Sequence, residues 1–322
     1  MSRELAARGA PPAADAMADS TLPGGDAQAW QRAAAAWPGT AASQSVHPRQ
    51  LAAAWRHSLE QGLHGLCFSP YGPGQRPGMQ VAEPAIAERL ELIRPYTRWI
   101  RSFSCTLGHQ ATPRLARRAG LRTLVGAWLG SDEGRNREEI EGLVGLAGAG
   151  MVDIAAVGNE ALLRGDLDEP ALLACIEEVR ARAPGVPVGY VDAYFLFERH
   201  PRVTAACDVV LVNCYPFWEG CPREQALQAM QSMYLRAVAA AAGRPVLIAE
   251  TGWPDRGAAQ GASQPSEDHA MRYFIDAQDW ARRNGVPMFY FSAFDEAWKA
   301  DAEGDVGVAW GLWDEQGRLK HG

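Results

Sequence analysis

DIAAVGNE (Asp153–Glu160) is a short apolar run that stops on two polar residues, and RPVLIAETGWP (Arg244–Pro254) has the same layout later in the chain. Each has the length of one buried strand, and the stretch that follows each carries helical periodicity. Working outward, six further runs share this form: GLCFSPYG (Gly65–Gly72), WIRSFSC (Trp99–Cys105), LRTLVGAWLG (Leu121–Gly130), VPVGYVDAY (Val186–Tyr194), VVLVNCYPFW (Val209–Trp218) and VPMFYFSAFDE (Val286–Glu296). Helix-like segments lie between them at Glu83–Arg94, Arg137–Ala147, Pro170–Arg182, Pro222–Ala242 and Glu267–Asn284. Glycines at 120, 243 and 285 stand where helices should stop. Eight strand-then-helix units in residues 65–322 are what a (β/α)8 TIM barrel requires. A doubly wound open sheet is the rival architecture. It predicts a Gly-rich phosphate turn after an early strand, and no GxGxxG occurs here.

The remaining composition narrows the function. The chain has 322 residues, is 47% hydrophobic and carries a net charge of −7. An acidic protein lacks the basic surface that a nucleic-acid partner needs. No run approaches the roughly 20 apolar residues of a membrane span. Residues 1–44 are rich in Ala, Gly, Pro and Asp and poor in large apolar residues, so they read as a disordered extension without a secretory leader. Residues 45–322 then form the barrel domain, led in by a helix near 48–61 with Leu51, Trp55 and Leu59 on one face. The six cysteines show no metal-ligand spacing and read as reduced, buried hydrophobes, which fits a cytoplasmic protein. The histidines show no HxH pair, so neither a metal nor any other cofactor is expected. The two lysines, Lys299 and Lys320, follow the last strand, which argues against Schiff-base chemistry. A monomer is expected.

In a (β/α)8 barrel the chemistry sits at the C-terminal ends of the strands. Read there, the sequence offers Tyr71, Arg101, Asn159, Glu160, Asp192, Tyr215, Trp218, Glu250, Trp253, Glu296 and Lys299. Glu160 and Glu250 end strands 4 and 7, three places apart around the ring, so they can face each other across the mouth. Facing carboxylates suit glycoside hydrolysis: one protonates the leaving oxygen while the other attacks the sugar or activates water. Helix capping or a barrel-end ion pair is the competing role for either glutamate alone. The aromatic residues are either sugar-stacking platforms or loop packing. Trp310 and Trp313 read as barrel closure. Arg101 either orients the nucleophile through a charge-assisted hydrogen bond or forms a barrel-core ion pair, the first being the preferred reading, and Glu296 and Lys299 either bind hydroxyls or pair with each other. The aromatics of the strand 5–6 loops (Tyr194, Phe195, Phe197, Phe217, Trp218) are candidates for a platform that holds an acceptor sugar.

These motifs resemble glycoside hydrolase family 17, the β-1,3-glucanases and related glucanosyltransferases. VGNE and IAETGWP resemble that family's acid/base and nucleophile signatures. SPYGPGQ, NCYPFW and FSAFDEAWK with VAWGLWDEQGRLK extend the likeness over residues 63–320, nearest to the bacterial and fungal branch. The resemblance implies a retaining enzyme acting on β-glucan, with Glu160 as acid/base, Glu250 as nucleophile and Asn159 bonding the sugar 2-hydroxyl. Hydrolysis is the first reading and transglycosylation the second. A non-catalytic glycan-binding barrel is the alternative from another class, and retention of both carboxylates speaks against it.

Overall fold

A computed structural model describes residues 41–321. Eight strands run in chain order and all pair in parallel: β1 (Leu63–Cys67), β2 (Thr97–Ser102), β3 (Arg122–Ala127), β4 (Ile154–Asn159), β5 (Val188–Ala193), β6 (Val209–Asn213), β7 (Val246–Thr251) and β8 (Met288–Tyr290). β8 closes on β1 through Gly65–Phe289 and Leu66–Tyr290, which completes the (β/α)8 barrel. Gly65 is required at that seam, because a Cβ there would lie 2.3 Å from the Phe289 ring. The strands are buried along almost their whole length, as continuous apolar runs in parallel sheets must be.

The outer ring comprises α1 (Leu51–Glu60), α2 (Glu83–Ile93), α3 (Thr112–Arg118), α4 (Glu133–Gly148), α5 (Glu169–Arg182), α6 (Tyr194–Arg199), α7 (Pro201–Ala206), α8 (Ala226–Ala240), α9 (Glu267–Asn284) and α10 (Ala300–Gly307). Several have readable starts and stops. Asp132 and Asp168 cap the first turns of α4 and α5 through their side chains, and α9 runs from a Ser266 cap to Gly285 in the left-handed conformation. The five helices read from periodicity are present within a few residues. α3, α6, α7 and α10 are additional.

Ala42–Ser45, of which residues 42–44 read from sequence as part of the extension, forms a short 3-10 turn in which Ser43 is buried. Its amide and hydroxyl bond the Asp276 carboxylate on α9, and Arg223 joins them at 2.9 Å and 2.6 Å. The expected disorder of residues 1–40 falls outside the described residues. Among the described residues, no helix is long and apolar enough to cross a membrane. The six cysteines are free, and all but Cys175 are buried.

Candidate active site

The ends of β4 and β7 meet in one cleft. Glu160 and Glu250 both line it, and both are nearly enclosed, at 5% and 6% exposure. β6 lies between them in the sheet and touches both. Asn213 is the register partner of Glu250 and donates its side-chain amide to Glu160 Oε1 at 2.8 Å. β2 makes a second link from below. One Arg101 guanidinium donates to Glu250 Oε1 at 2.5 Å and to Asn159 Oδ1 at 2.7 Å, tying the two strand ends together.

The two carboxylates have different partners. Glu250 accepts from Arg101 and, at 2.6 Å, from the Tyr215 hydroxyl, so each of its oxygens faces a donor. Glu160 meets one neutral donor, Asn213. Burial, then the Glu250 carboxylate and then Asp192 push the Glu160 carboxyl up to about 8, against smaller opposing effects of Asn213 and Arg164. A group raised this far is protonated at neutral pH and can donate a proton to a leaving oxygen.

The backbone that presents Glu160 is unusual. The β4–β5 register shifts between Ala156 and Asn159, and Gly158 and Glu160 both have positive φ, +87° and +51°. A bulge of this kind re-aims a side chain at the end of a strand. For a residue with a Cβ, the left-handed conformation costs about 1–2 kcal/mol, and neighbouring bonds must hold it.

Beyond the pair, the cleft is walled by aromatic residues and further charges. Tyr71, Trp218, Trp298, Phe291, Trp128 and Trp310 line it. Trp310, read from sequence as barrel closure, instead faces the cleft and packs edge-on against Tyr215 at 5.5 Å. Glu296 and Lys299 form a buried ion pair at 3.0 Å on the wall, joined by Glu303 at 3.8 Å. Burial works against the Lys299 charge, but Glu296 and Glu303 hold its pKa above the usual value. Burial pushes Glu303 up to about 7 despite Lys299. Sequence reading missed Glu303, and also Glu139, an α4 carboxylate that accepts from the Ser104 and Thr106 hydroxyls and the Cys105 and Trp128 amides. Those bonds pin the loop after β2 to the end of β3. A Glu on an apolar helix face is the only signal the sequence carries for it.

Two residues read as sugar binders lie elsewhere. Asp192 is fully buried behind Glu160 and accepts from Tyr190 and the Ala193 amide. Trp253 is turned under α9, at 1% exposure, where its indole N–H bonds the Gln264 carbonyl. Neither lines the cleft. Tyr194, Phe195 and Phe197 are likewise buried, because residues 194–199 form α6, which packs against α8, and Phe217 is buried against Trp253 and Trp310. Trp218 alone of that aromatic group reaches the cleft.

A paired-carboxylate cleft at the C-terminal end of a (β/α)8 barrel defines a glycoside hydrolase. The chain belongs to the BtgE/BtgC glycoside hydrolase domain family, within glycoside hydrolase family 17; that family's model matches residues 65–311. A glucan 1,3-beta-glucosidase of Schizosaccharomyces pombe is 29% identical over 235 residues, 66% of this chain and 72% of that protein. One from Arthroderma benhamiae is 28% identical over 261 residues, covering 74% and 84%. Among solved structures, the family 17 beta-1,3-glucanosyltransferase of Rhizomucor miehei is 27% identical with a TM-score of 0.72, covering 81% of this chain and 96% of that one. An active-site mutant of that transferase, solved in complex with laminaritriose, matches with the same TM-score of 0.72 at 26% identity.

Proposed function

We propose that this enzyme cleaves β-1,3-glucan with retention, using Glu250 as nucleophile and Glu160 as acid/base. The observation that carries the roles is the contrast in partners within one cleft: an arginine and a phenol donate to Glu250, whereas a buried Glu160 is held protonated. The names of the relatives and the laminaritriose complex of the transferase support the β-1,3-linked substrate.

In the first step Glu250 attacks the anomeric carbon, the glycosidic C–O bond breaks, and the Glu160 proton passes to the leaving oxygen. Asn159, whose Oδ1 is engaged by Arg101, offers its amide N–H to the 2-hydroxyl of the sugar under attack. Glu250 loses its charge when the glycosyl-enzyme forms, so the repulsion that kept Glu160 protonated falls away. Glu160 then takes a proton from the incoming hydroxyl as that oxygen displaces Glu250. Tyr71, Trp218, Glu296 and Lys299 on the wall contact the flanking sugar units.

If water is the incoming group the outcome is hydrolysis; if it is a sugar hydroxyl the outcome is transfer. Transfer is the second reading, favoured by the likeness to a glucanosyltransferase over 96% of its length. Incubation with a laminari-oligosaccharide, with Glu250→Gln as control, tests both. Hydrolysis gives only shorter products, and transfer gives products longer than the starting chain. A first-formed product with the α configuration would exclude retention.

A further inference from the structure

We propose that Tyr190 and Asp192 are a positioning pair that holds the Glu160 turn in its left-handed conformation from behind the cleft. The pair rests on the reading of Glu160 as the acid/base. Both residues lie on β5, two apart and on the same side of the strand, and both are fully buried. The Tyr190 hydroxyl accepts from the Leu162 amide at 2.9 Å and donates to Asp192 Oδ2. Asp192 is held in turn by the Ala193 amide at 2.7 Å, and the Leu163 amide favours its charged form. The chain of bonds therefore runs from Leu162 and Leu163, two and three residues after Glu160, into a fixed strand.

Two further contacts tie β5 to this turn. The Glu160 amide donates to the Val191 carbonyl at 2.8 Å. The Tyr190 ring lies 3.3 Å from where a Gly158 Cβ would stand, so the same side chain fills the concave side of the bulge. Arg164 grips the opposite side, donating to the Asn159 carbonyl at 2.5 Å. None of these groups lies on the reacting sugar, so their effect passes through the placement of Glu160.

The charges facing Glu160 are Glu250 on β7, Asp192 on β5, Arg164 in its own turn and, through Asn159, Arg101 on β2. Asp192 takes no part in bond exchange, and its charge helps Glu160 keep its proton.

The test compares Tyr190→Phe and Asp192→Asn in the full chain. Each is measured on a laminari-oligosaccharide and on an aryl β-glucoside with a good leaving group. Tyr190→Phe should lower kcat on the oligosaccharide by about 10- to 100-fold, with KM within a factor of three and a much smaller loss on the aryl substrate. Asp192→Asn should move the alkaline limb of kcat/KM to lower pH. Equal losses on both substrates with an unmoved alkaline limb would overturn the proposal and leave the pair as packing. If Asp192→Asn does not fold, the Tyr190→Phe comparison decides alone. Glu160→Gln run in parallel separates the underlying reading: if it too loses equally on both substrates, Glu160 is not the acid, whatever the β5 variants do.

Discussion

The ends of β4 and β7 carry the same residue type into the same cleft by different means. Glu250 sits inside its strand, one residue before its end and beside register shifts to β6 and β8, and is held through its side chain by Arg101 and Tyr215. Glu160 lies just past its strand, on a bulged, left-handed turn, and is held mainly through the backbone around it. The difference fits the proposed roles: a nucleophile needs its charge fixed, whereas an acid/base that changes protonation state twice needs its position fixed and its charge left unpaired. Partners that clamped an ionised Glu160 would forfeit its proton.

Breaking the β7 half should cost most. Glu250→Gln should reduce turnover by about 10⁴-fold or more on natural and activated substrates alike, because no covalent step remains. Breaking the β4 half should be selective: Glu160→Gln should cost about 10²–10⁴-fold on laminari-oligosaccharides and far less on aryl glucosides at the glycosylation step. Arg101→Lys keeps a cation but loses the planar fork that reaches Glu250 and Asn159 together. A fall of about 10- to 100-fold in kcat is expected, the cost of one charge-assisted hydrogen bond.

The contrast also sets a pH dependence. In its proposed role Glu160 is an acid only while protonated, so kcat/KM should fall above about pH 8, tenfold per unit. Folding stability should move the same way. The unfolded chain releases this proton near the ordinary 4.5 and the folded chain holds it to about 8, so the folded form binds more protons in that window. Stability therefore falls as pH rises from about 4.5 to 8, by linkage. Urea midpoints measured across this range would check the sign. The smallest effect belongs to Trp253→Phe, which removes a bond to Gln264 and no cleft wall. Stability should drop by about 1 kcal/mol with KM unchanged, whereas a rise in KM would place Trp253 against the sugar.

The barrel was legible because most strands are short, largely apolar runs and several of the helices between them carry caps or periodicity. α6 escaped because YFLFER is apolar on every side and reads as loop packing or strand rather than as an amphipathic helix. Glu160 and Glu250 were legible from their places at strand ends. Arg101 was too, since a cation buried inside a strand must face an anion. Asp192 and Trp253 were misplaced because a strand-end position fixes height in the barrel but not whether a side chain turns into the cleft or under a helix. Glu139 and Glu303 were missed because a helical carboxylate ordinarily faces water, and only tertiary packing shows that these two do not. The left-handed turn at Glu160 has no glycine at that position to announce it.

The residues that line the cleft carry more carboxylates than cations: Asp132, Glu138, Glu139, Asp166, Glu250, Glu296 and Glu303 stand against Arg135 and Lys299, with Arg101 and Arg164 behind them paired to Glu250 and Asp166. Such a mouth should act as an electrostatic sieve. Neutral glucose polymers are expected to enter without penalty, while sulfated or uronate-bearing polysaccharides should meet a repulsive field before any sugar ring reaches the aromatic walls. Rejection of those competitors should then be graded by salt, weakening as ionic strength shortens the reach of the field.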